Sequence, residues 1–302
     1  MGVMQVFYTD GFVLPLPEGH KFPMARYRLL REAIQEQGTV NPDECRRPDG
    51  ATDEQLRLVH TPDYLGRVTG GTLTADEQRR IGVPWTPQMV ERSRRSVGGT
   101  ISAARAALAD GVGINLAGGT HHAFPDRGGG YCVFNDVAVA IRVLQGSGEI
   151  ARAVVLDVDV HHGDGTAAIF AEDESVLTVS LFAQKAFPSR KPPGDLDYPL
   201  APGTGDAEYL AVLDRALNEI GRRGPFDLLF YLAGADPYAG DLLGGLSLTM
   251  EGLAERDRRS FAACRGWKLP VAVSMAGGYA RDVRDIVSIQ ARTVALAREI
   301  LG

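Results

Sequence analysis

Short apolar runs alternate with stretches of helical periodicity along the whole chain, a pattern typical of a parallel sheet covered by helices. The apolar runs predict six strands, at residues 4–9, 113–117, 153–160, 176–181, 228–233 and 271–275. The helical pattern predicts six helices, at residues 23–37, 87–109, 135–144, 207–222, 250–264 and 283–301. We therefore predict an α/β fold, a single domain over residues 1–302, with a mainly parallel central sheet flanked by helices on both faces.

The pattern is less regular in two places. Residues 46–86 contain only short helical pieces around residues 54–59, and residues 187–202 form a proline-rich loop. Several helices nevertheless have a clear start. Pro87 suits a first helical turn, and Asp206 and Thr249 can cap the N-termini of the helices that follow them. Neither irregular stretch has the composition of a linker, so no domain boundary is expected.

Polar or glycine-rich segments accompany the ends of five predicted strands. They are residues 118–122, 157–164, 180–181, 233–236 and 276–279. In open α/β sheets, ligand sites form beyond the carboxyl ends of the strands. The sequence therefore predicts a functional site at one edge of the sheet.

The strongest chemical signal lies at the end of the third predicted strand. Side chains alternate along a strand, so Asp157, Asp159 and His161 should share one face. Such a buried cluster favours a bound cation, with Asp236 as a third ligand beside Asp159 and His161, and Asp157 as an orienting group. The alternative is a buried salt-bridge network, which the scarcity of nearby cations disfavours. His162 points to the opposite face and is not expected to be a ligand.

A tandem pair, His121 and His122, follows two glycines that let the backbone turn. Two histidines facing a metal favour general acid–base catalysis. Asp157 and Asp164 can accept their outer N–H groups and so fix their tautomers. A structural role is the alternative for either histidine alone.

Tyr279 follows another glycine pair and can donate its phenol to a developing oxyanion, the alternative being a packed aromatic side chain. The glycine run before Tyr131 does not lie between a strand and a helix as a phosphate loop would. It fits a wall beside a narrow channel. Cys132 is expected to be a small buried residue.

Composition narrows the function classes. The chain has 302 residues with a net charge of −6, which gives no indication of nucleic-acid binding. The three cysteines, Cys45, Cys132 and Cys264, form no CxxC pair, so no disulfide framework is expected. Neither a signal peptide nor an apolar run of about 20 residues is visible, so we expect a cytoplasmic protein without a membrane partner.

Together these segments resemble the zinc-dependent histone deacetylases, which have the arginase/deacetylase fold. The resemblance is carried by residues 59–65, 118–136, 156–166, 178–181, 233–241 and 277–279. Residues 119–131 look most like the class IV branch and its bacterial relatives, since larger classes usually have Pro-Gly where this chain has Gly-Thr before the histidines. The match extends over essentially the whole chain.

The resemblance implies a role for each candidate residue. One Zn2+ per chain, with Fe2+ as the alternative, would be held by Asp159, His161 and Asp236. The family's catalytic residues, with His122 as the general base, match His121, His122, Asp157, Asp164 and Tyr279. A structural K+ would be held by Asp157, Asp159, His161, Ser180 and Leu181. The acyl-lysine channel matches Gly130, Tyr131 and Phe187, with Leu243 near its rim.

The expected activity is the hydrolytic removal of acetyl or longer acyl groups from lysine side chains of a protein or peptide. Deacetylation of a small amine such as an acetylpolyamine is the alternative, disfavoured because Leu243 is apolar and no long insertion is present. An arginase-like ureohydrolase would need a second aspartate two residues after Asp236, where the chain has Tyr238. A non-catalytic acyl-lysine binder should have lost a catalytic group. The sequence leaves acyl length and oligomeric state open.

Overall fold

Eight strands form one all-parallel sheet in the computed structural model, which describes residues 4–302. In chain order they are β1 (Gln5–Phe7), β2 (Cys45–Arg46), β3 (Val112–Asn115), β4 (Ala153–Asp157), β5 (Val176–Ala183), β6 (Leu196–Leu200), β7 (Leu228–Leu232) and β8 (Val271–Ser274). Their order across the sheet is β2-β1-β3-β8-β7-β4-β5-β6. The carboxyl ends of all the strands therefore meet at one edge.

Ten α-helices cover the sheet within residues 4–302. They are α1 (Arg26–Glu36), α2 (Asp53–Arg57), α3 (Pro62–Gly70), α4 (Ala75–Ile81), α5 (Pro87–Asp110), α6 (Asp136–Gly146), α7 (Asp164–Phe170), α8 (Asp206–Arg223), α9 (Met250–Trp267) and α10 (Val283–Leu301). Within residues 4–302, none of them combines the length and apolar character that crossing a bilayer requires.

A separate hydrophobic core lies on each face of the sheet. Alternate residues of β4 enter the two cores, Val154 and Leu156 on one side and Ala153 and Val155 on the other. Both faces of the strand are therefore apolar, as expected for a buried parallel strand. The predicted single α/β domain with helices on both faces is confirmed.

All six predicted strands and all six predicted helices are present, with small shifts at their ends. The two strands that the pattern missed, β2 and β6, form the edges of the sheet. β2 is only two residues long, and β6 contains Pro199 and is mostly partly exposed, so neither has an apolar run. The missed helices α3, α4 and α7 are too short for helical periodicity to be recognised.

Two local predictions are corrected. β4 ends at Asp157, not at residue 160. Beyond this point a side-chain hydrogen bond takes the place of backbone hydrogen bonds to the neighbouring strand, since Asp157 Oδ1 accepts from the Asp159 N–H at 3.1 Å. Thr249 caps α9 as predicted, but Asp206 is the first residue of α8 and caps no helix. Its carboxylate instead accepts from the backbone N–H and hydroxyl of Thr249, at 2.9 and 2.7 Å.

Candidate active site

The loops that follow β3, β4, β7 and β8 converge at the carboxyl edge of the sheet and carry most of the predicted site residues. The turn after β3 depends on Gly118 and Gly119, whose φ angles are 79° and 71°. A Cβ at Gly119 would lie 2.5 Å from the Ala276 Cα, so this glycine also lets the first and last of these loops touch. Four of the five predicted segments therefore meet at this edge, whereas residues 180–181 lie inside β5 and not after its end.

Asp159, His161 and Asp236 form a buried group in which one ligand atom from each lies within 4.8 Å of the others. Backbone N–H groups hold both carboxylates, since Asp159 Oδ2 accepts from Gly277 at 2.8 Å and Asp236 Oδ1 accepts from Val160 at 2.9 Å. Asp236 Oδ2 is buried without a hydrogen-bond partner among residues 4–302, and it lies 3.4 Å from His161 Nδ1. An orphaned carboxylate oxygen beside an imidazole and a second carboxylate fits a divalent metal ion.

The electrostatics of this group support the same interpretation. Burial and the neighbouring Asp159 carboxylate raise the pKa of Asp236 to about 7. Burial alone would lower the pKa of His161, but the two carboxylates outweigh it and raise that pKa well above its ordinary value. The cluster therefore demands positive charge, which a proton on His161 or a metal ion supplies.

The two histidines lie beside this group, and each is held by its own carboxylate. His121 Nδ1 lies 2.6 Å from Asp157 Oδ2, and His122 Nδ1 lies 2.6 Å from Asp164 Oδ1. The two Nε2 atoms are 3.1 Å apart. All four side chains are buried, so the carboxylates fix the ring orientations.

The two histidines nevertheless titrate in opposite directions. Burial would lower the pKa of His121, but Asp157 and Asp159 outweigh it and raise that pKa to about 9. Burial and the charge on His121 lower the pKa of His122 to about 4. His122 is therefore neutral near pH 7, and since Asp164 accepts from its Nδ1–H, its Nε2 carries the lone pair, which faces the His121 Nε2 at 3.1 Å.

Tyr279 reaches the same site from the loop after β8. Its ring centroid lies 6.4 Å from that of His161, and burial raises the pKa of its phenol well above the ordinary value. The phenol therefore remains a hydrogen-bond donor at every working pH. Its backbone N–H donates to Asp241 Oδ2 at 2.6 Å.

Two residues of this neighbourhood were given no role by the sequence analysis. Asp241 lies in the loop after β7 and joins the Tyr279 segment to the backbone N–H groups of Leu243 and Gly244, at 2.8 and 3.0 Å. Arg26 on α1 is buried behind Tyr279. The motif that contains Asp241 drew attention to its position, whereas nothing in the sequence distinguished Arg26 from a surface arginine.

The expectation that few cations lie near the carboxylates is wrong. Arg26 and Arg256 are both buried close to the site, and Arg256 donates to the Gly234 carbonyl at 2.6 Å. Neither guanidinium hydrogen-bonds to Asp159 or Asp236 in the described chain. A salt-bridge network is therefore disfavoured because the two arginines do not contact the carboxylates, and not because arginines are scarce.

A cavity of about 380 Å³ connects the site to the surface. The four predicted channel residues, Gly130, Tyr131, Phe187 and Leu243, all line it. Phe187 is 49% exposed and packs edge-on against His122 at a centroid distance of 4.8 Å, which puts it at the mouth. Cys132 is buried, as predicted.

The residues predicted to hold K+ lie on β4, on β5 and in the loop after β4. Asp157 pairs with Ser180 in the register of β4 and β5, and the Ser180 Oγ is buried without a partner among residues 4–302. Leu181 follows Ser180 in β5, while Asp159 and His161 follow Asp157 in the loop. His162 turns away from the histidine pair and its Nε2 lies 3.2 Å from Asp197 Oδ1.

Comparisons with known proteins show which family the chain resembles. A family model described as the histone deacetylase domain matches residues 20–294. An uncharacterised protein of Picosynechococcus sp. is 42% identical over 300 residues, covering 99% of this chain and 100% of that protein. Histone deacetylase 2 of Arabidopsis thaliana is 28% identical, over 89% of this chain and 72% of its own.

Bacterial proteins and solved structures give further matches. The acetoin utilization protein AcuC of Staphylococcus aureus (strain MSSA476) is 29% identical, over 78% of this chain and 66% of its own. The crystal structure of an HDAC homologue complexed with SAHA has a TM-score of 0.84 and 25% identity, covering 97% of this chain and 83% of that one.

Proposed function

This chain belongs to the histone deacetylase family, and we propose that it removes acetyl or longer acyl groups from lysine side chains. Membership supports a metal-dependent, hydrolytic deacetylase; the lysine substrate and the assignment of individual residues are our proposal. The observation that carries it is the buried Asp159, His161 and Asp236 group beside the carboxylate-held histidine pair. A cytoplasmic location belongs to the same proposal and rests on the sequence alone.

Asp159, His161 and Asp236 would hold one Zn2+, or Fe2+, and the orphaned oxygen of Asp236 supports that fit. When bound, such an ion supplies Lewis acidity to the substrate carbonyl and to the attacking water. Within residues 4–302 there is no second cluster of this kind, which favours the one-metal deacetylase over a two-metal ureohydrolase.

His122 is the proposed general base. Its low pKa keeps Nε2 unprotonated near neutral pH, and Asp164 holds the ring in the tautomer with the proton on Nδ1 and the lone pair on Nε2. This nitrogen takes the proton as water attacks the amide carbon. The adjacent charged His121, held by Asp157, is the proposed source of the proton that the departing lysine amine requires.

Tyr279 is the proposed oxyanion donor. Its phenol stays protonated because burial raises its pKa, so it can donate to the carbonyl oxygen as negative charge develops there. Asp241 keeps the Tyr279 backbone in place through the 2.6 Å bond to its N–H. The backbone that carries the proposed donor is therefore held before substrate enters.

A structural K+ beside Asp157 completes the proposed cofactors. The buried Ser180 hydroxyl without a partner and the adjacent Asp157 carboxylate support a cation there, with Leu181, Asp159 and His161 as the further contributors. An ion at this position would stabilise the loop that carries two of the metal ligands.

The cavity favours acyl-lysine over a polyamine. Asp159 supplies the only carboxylate among its lining residues in the described chain, while the exposed Arg79 and Arg80 also line it. A polycation would meet the like charge of Arg80 at this mouth, while Asp76, the acidic residue nearby, is already paired with Arg79. The cavity also continues past the site along buried apolar side chains such as Leu14, Val83 and Met89, which supports acyl groups longer than acetyl.

A substrate panel tests the proposal. Wild-type protein reconstituted with Zn2+ is assayed on peptides carrying acetyl-, butyryl- and longer acyl-lysine and on acetylated polyamines, with Tyr279→Phe measured in parallel. We expect hydrolysis of the lysine peptides and a large loss in the variant at equal metal content. Activity confined to the polyamines would overturn the substrate assignment, and equal activity of both proteins would overturn the site.

A further inference from the structure

One buried side chain bridges the two loops that carry the candidate metal ligands. Arg256 of α9 is fully buried, and its Nη1 donates to the Gly234 carbonyl at 2.6 Å and to the Val158 carbonyl at 3.4 Å. Val158 directly precedes Asp159 in the loop after β4, and Gly234 lies two residues before Asp236 in the loop after β7. The guanidinium of Arg256 therefore contacts the backbone of both loops just ahead of the proposed ligands.

Arg256 completes the hydrogen bonding of two peptide units, 158–159 and 234–235. The N–H of the first unit donates to Asp157 Oδ1 at 3.1 Å, and the N–H of the second donates to the Gly277 carbonyl at 2.9 Å. No backbone N–H among residues 4–302 donates to the carbonyl of either unit, so Arg256 supplies the partner that each buried carbonyl requires. Each unit is therefore held on both sides, which fixes the backbone that leads into the proposed ligands.

Asp257 holds this guanidinium in place. Its Oδ1 accepts from Arg256 Nε at 2.9 Å and from the Tyr231 hydroxyl of β7 at 2.6 Å. Its Oδ2 accepts from the Thr293 hydroxyl of α10 at 2.5 Å. The bridge is thus anchored to the sheet and to a second helix. Since Asp257 compensates the charge of Arg256, we attribute the effect of Arg256 on the site to geometry.

The two bridged loops touch each other, so a small change in their spacing matters. A Cβ at Gly234 would lie 2.7 Å from the Asp159 Cα and 2.7 Å from Asp236 Oδ1. The Val160 N–H also donates to Asp236 Oδ1 at 2.9 Å, from one loop to the other. The ligand atoms of a bound zinc ion lie within about 0.2 Å of their ideal distances. A larger shift of either loop would therefore weaken metal binding.

We propose that Arg256 is a positioning residue for the metal site, because it sets the spacing of the loops that follow β4 and β7. This inference rests on the proposed metal ligands, Asp159, His161 and Asp236. It gives α9, which contributes no ligand, a direct influence on metal affinity. The alternative is that the Arg256–Asp257 pair only stabilises the packing of α9 against its neighbours. Its loss would then lower stability equally with and without metal.

The Zn2+ affinities of wild type, Arg256→Met and Thr293→Val, measured by competition with a chelating dye, separate these two roles. Thr293→Val is the matched control, since it removes one hydrogen bond to Asp257 and leaves Arg256 and both loops unchanged. We expect Arg256→Met to bind Zn2+ about ten- to hundredfold more weakly, and Thr293→Val to bind it as wild type does. Arg256→Lys, which keeps a charge beside Asp257 but lacks the planar fork, should lie between wild type and Arg256→Met.

Urea unfolding with and without Zn2+ provides a second readout. Both Arg256→Met and Thr293→Val should destabilise the metal-free protein, but only Arg256→Met should reduce the added stability that Zn2+ gives. At the same free Zn2+ concentration, a tenfold loss of affinity reduces that increment by about 1.4 kcal/mol. If Arg256→Met does not fold, Arg256→Met/Asp257→Asn takes its place. It buries no unpaired charge and leaves an acceptor for Tyr231.

The outcomes distinguish this inference from the proposed function. Equal Zn2+ affinities of wild type and Arg256→Met, or equal losses in Arg256→Met and Thr293→Val, overturn the positioning role and leave the proposed function intact. Wild-type protein that binds neither Zn2+ nor Fe2+, or that binds Zn2+ as tightly after Asp236→Asn, overturns the metal site. Both the proposed function and the positioning role would then fail.

Discussion

Replacing Tyr279 with phenylalanine removes one oxygen atom and should separate catalysis from stability. Among residues 4–302 the Tyr279 hydroxyl makes no hydrogen bond, while its backbone N–H, which the substitution leaves intact, donates to Asp241. No protein partner is therefore left unsatisfied, and the free energy of unfolding should change by less than about 0.5 kcal/mol. Turnover should fall about 100- to 1,000-fold, because losing one oxyanion donor costs about 2.7–4 kcal/mol of transition-state stabilisation.

The assay compares kcat, KM, metal content and urea unfolding for wild type, Tyr279→Phe and Tyr131→Phe. Tyr131 lines the same cavity, and its ring centroid lies 5.6 Å from that of Tyr279, so the second variant removes a nearby phenol that we give no proton-donor role. We expect Tyr131→Phe to keep most of the turnover. Similar losses in the two variants would refute the reasoning, as would a loss in Tyr279→Phe that follows reduced metal content.

Four further outcomes follow from the same geometry. In Asp241→Asn only one side-chain oxygen remains, so the residue cannot accept from both the Tyr279 N–H and the Leu243 N–H. In steady-state kinetics, kcat should fall about tenfold while KM changes little. His122→Ala should lower kcat about 100- to 10,000-fold, with metal content unchanged by elemental analysis. Asp236→Asn should reduce bound metal to near zero in the same measurement, since it removes the orphaned charged oxygen. In metal-free protein, the raised pKa of His121 stabilises the fold fully below pH 6.5, and this contribution is lost as the pH rises to about 9. The free energy of unfolding, measured with urea, should therefore be lower at pH 9 than at pH 6.5.

The buried strands and long helices could be predicted because their periodicity is set by burial, and burial affects every residue of such an element. β4 shows where this reasoning ends. Its apolar alternation continues to Val160, but the Asp157 carboxylate captures the Asp159 N–H and the ladder stops. A side chain that competes for backbone hydrogen bonds does not change the pattern of apolar residues, so that pattern could not predict the end of β4.

The candidate ligands and histidines could be found because their residue types are expensive to bury and therefore conspicuous after apolar strands. Arg26 and Arg256 could not, since each lies in a helix where an arginine usually faces solvent. Their acceptors are carbonyls contributed by residues far away in sequence, such as Ala276 for Arg26 and Val158 for Arg256. Only the folded chain brings these guanidinium groups to the loops of the site.

The opposite pKa shifts of the two histidines follow from a single asymmetry. Both are buried, and each has a carboxylate oxygen 2.6 Å from its Nδ1, so neither burial nor the hydrogen bond distinguishes them. His121 differs in facing a second carboxylate, since Asp159 Oδ1 lies 3.8 Å from its Nε2 and adds to the larger effect of Asp157. A proposed metal ligand thus favours a proton on His121, and that charge in turn keeps His122 neutral at 3.1 Å. The proposed division of the pair into one acid and one base therefore rests on the combined charge of Asp157 and Asp159 beside His121, and on the charge that His121 then places beside His122.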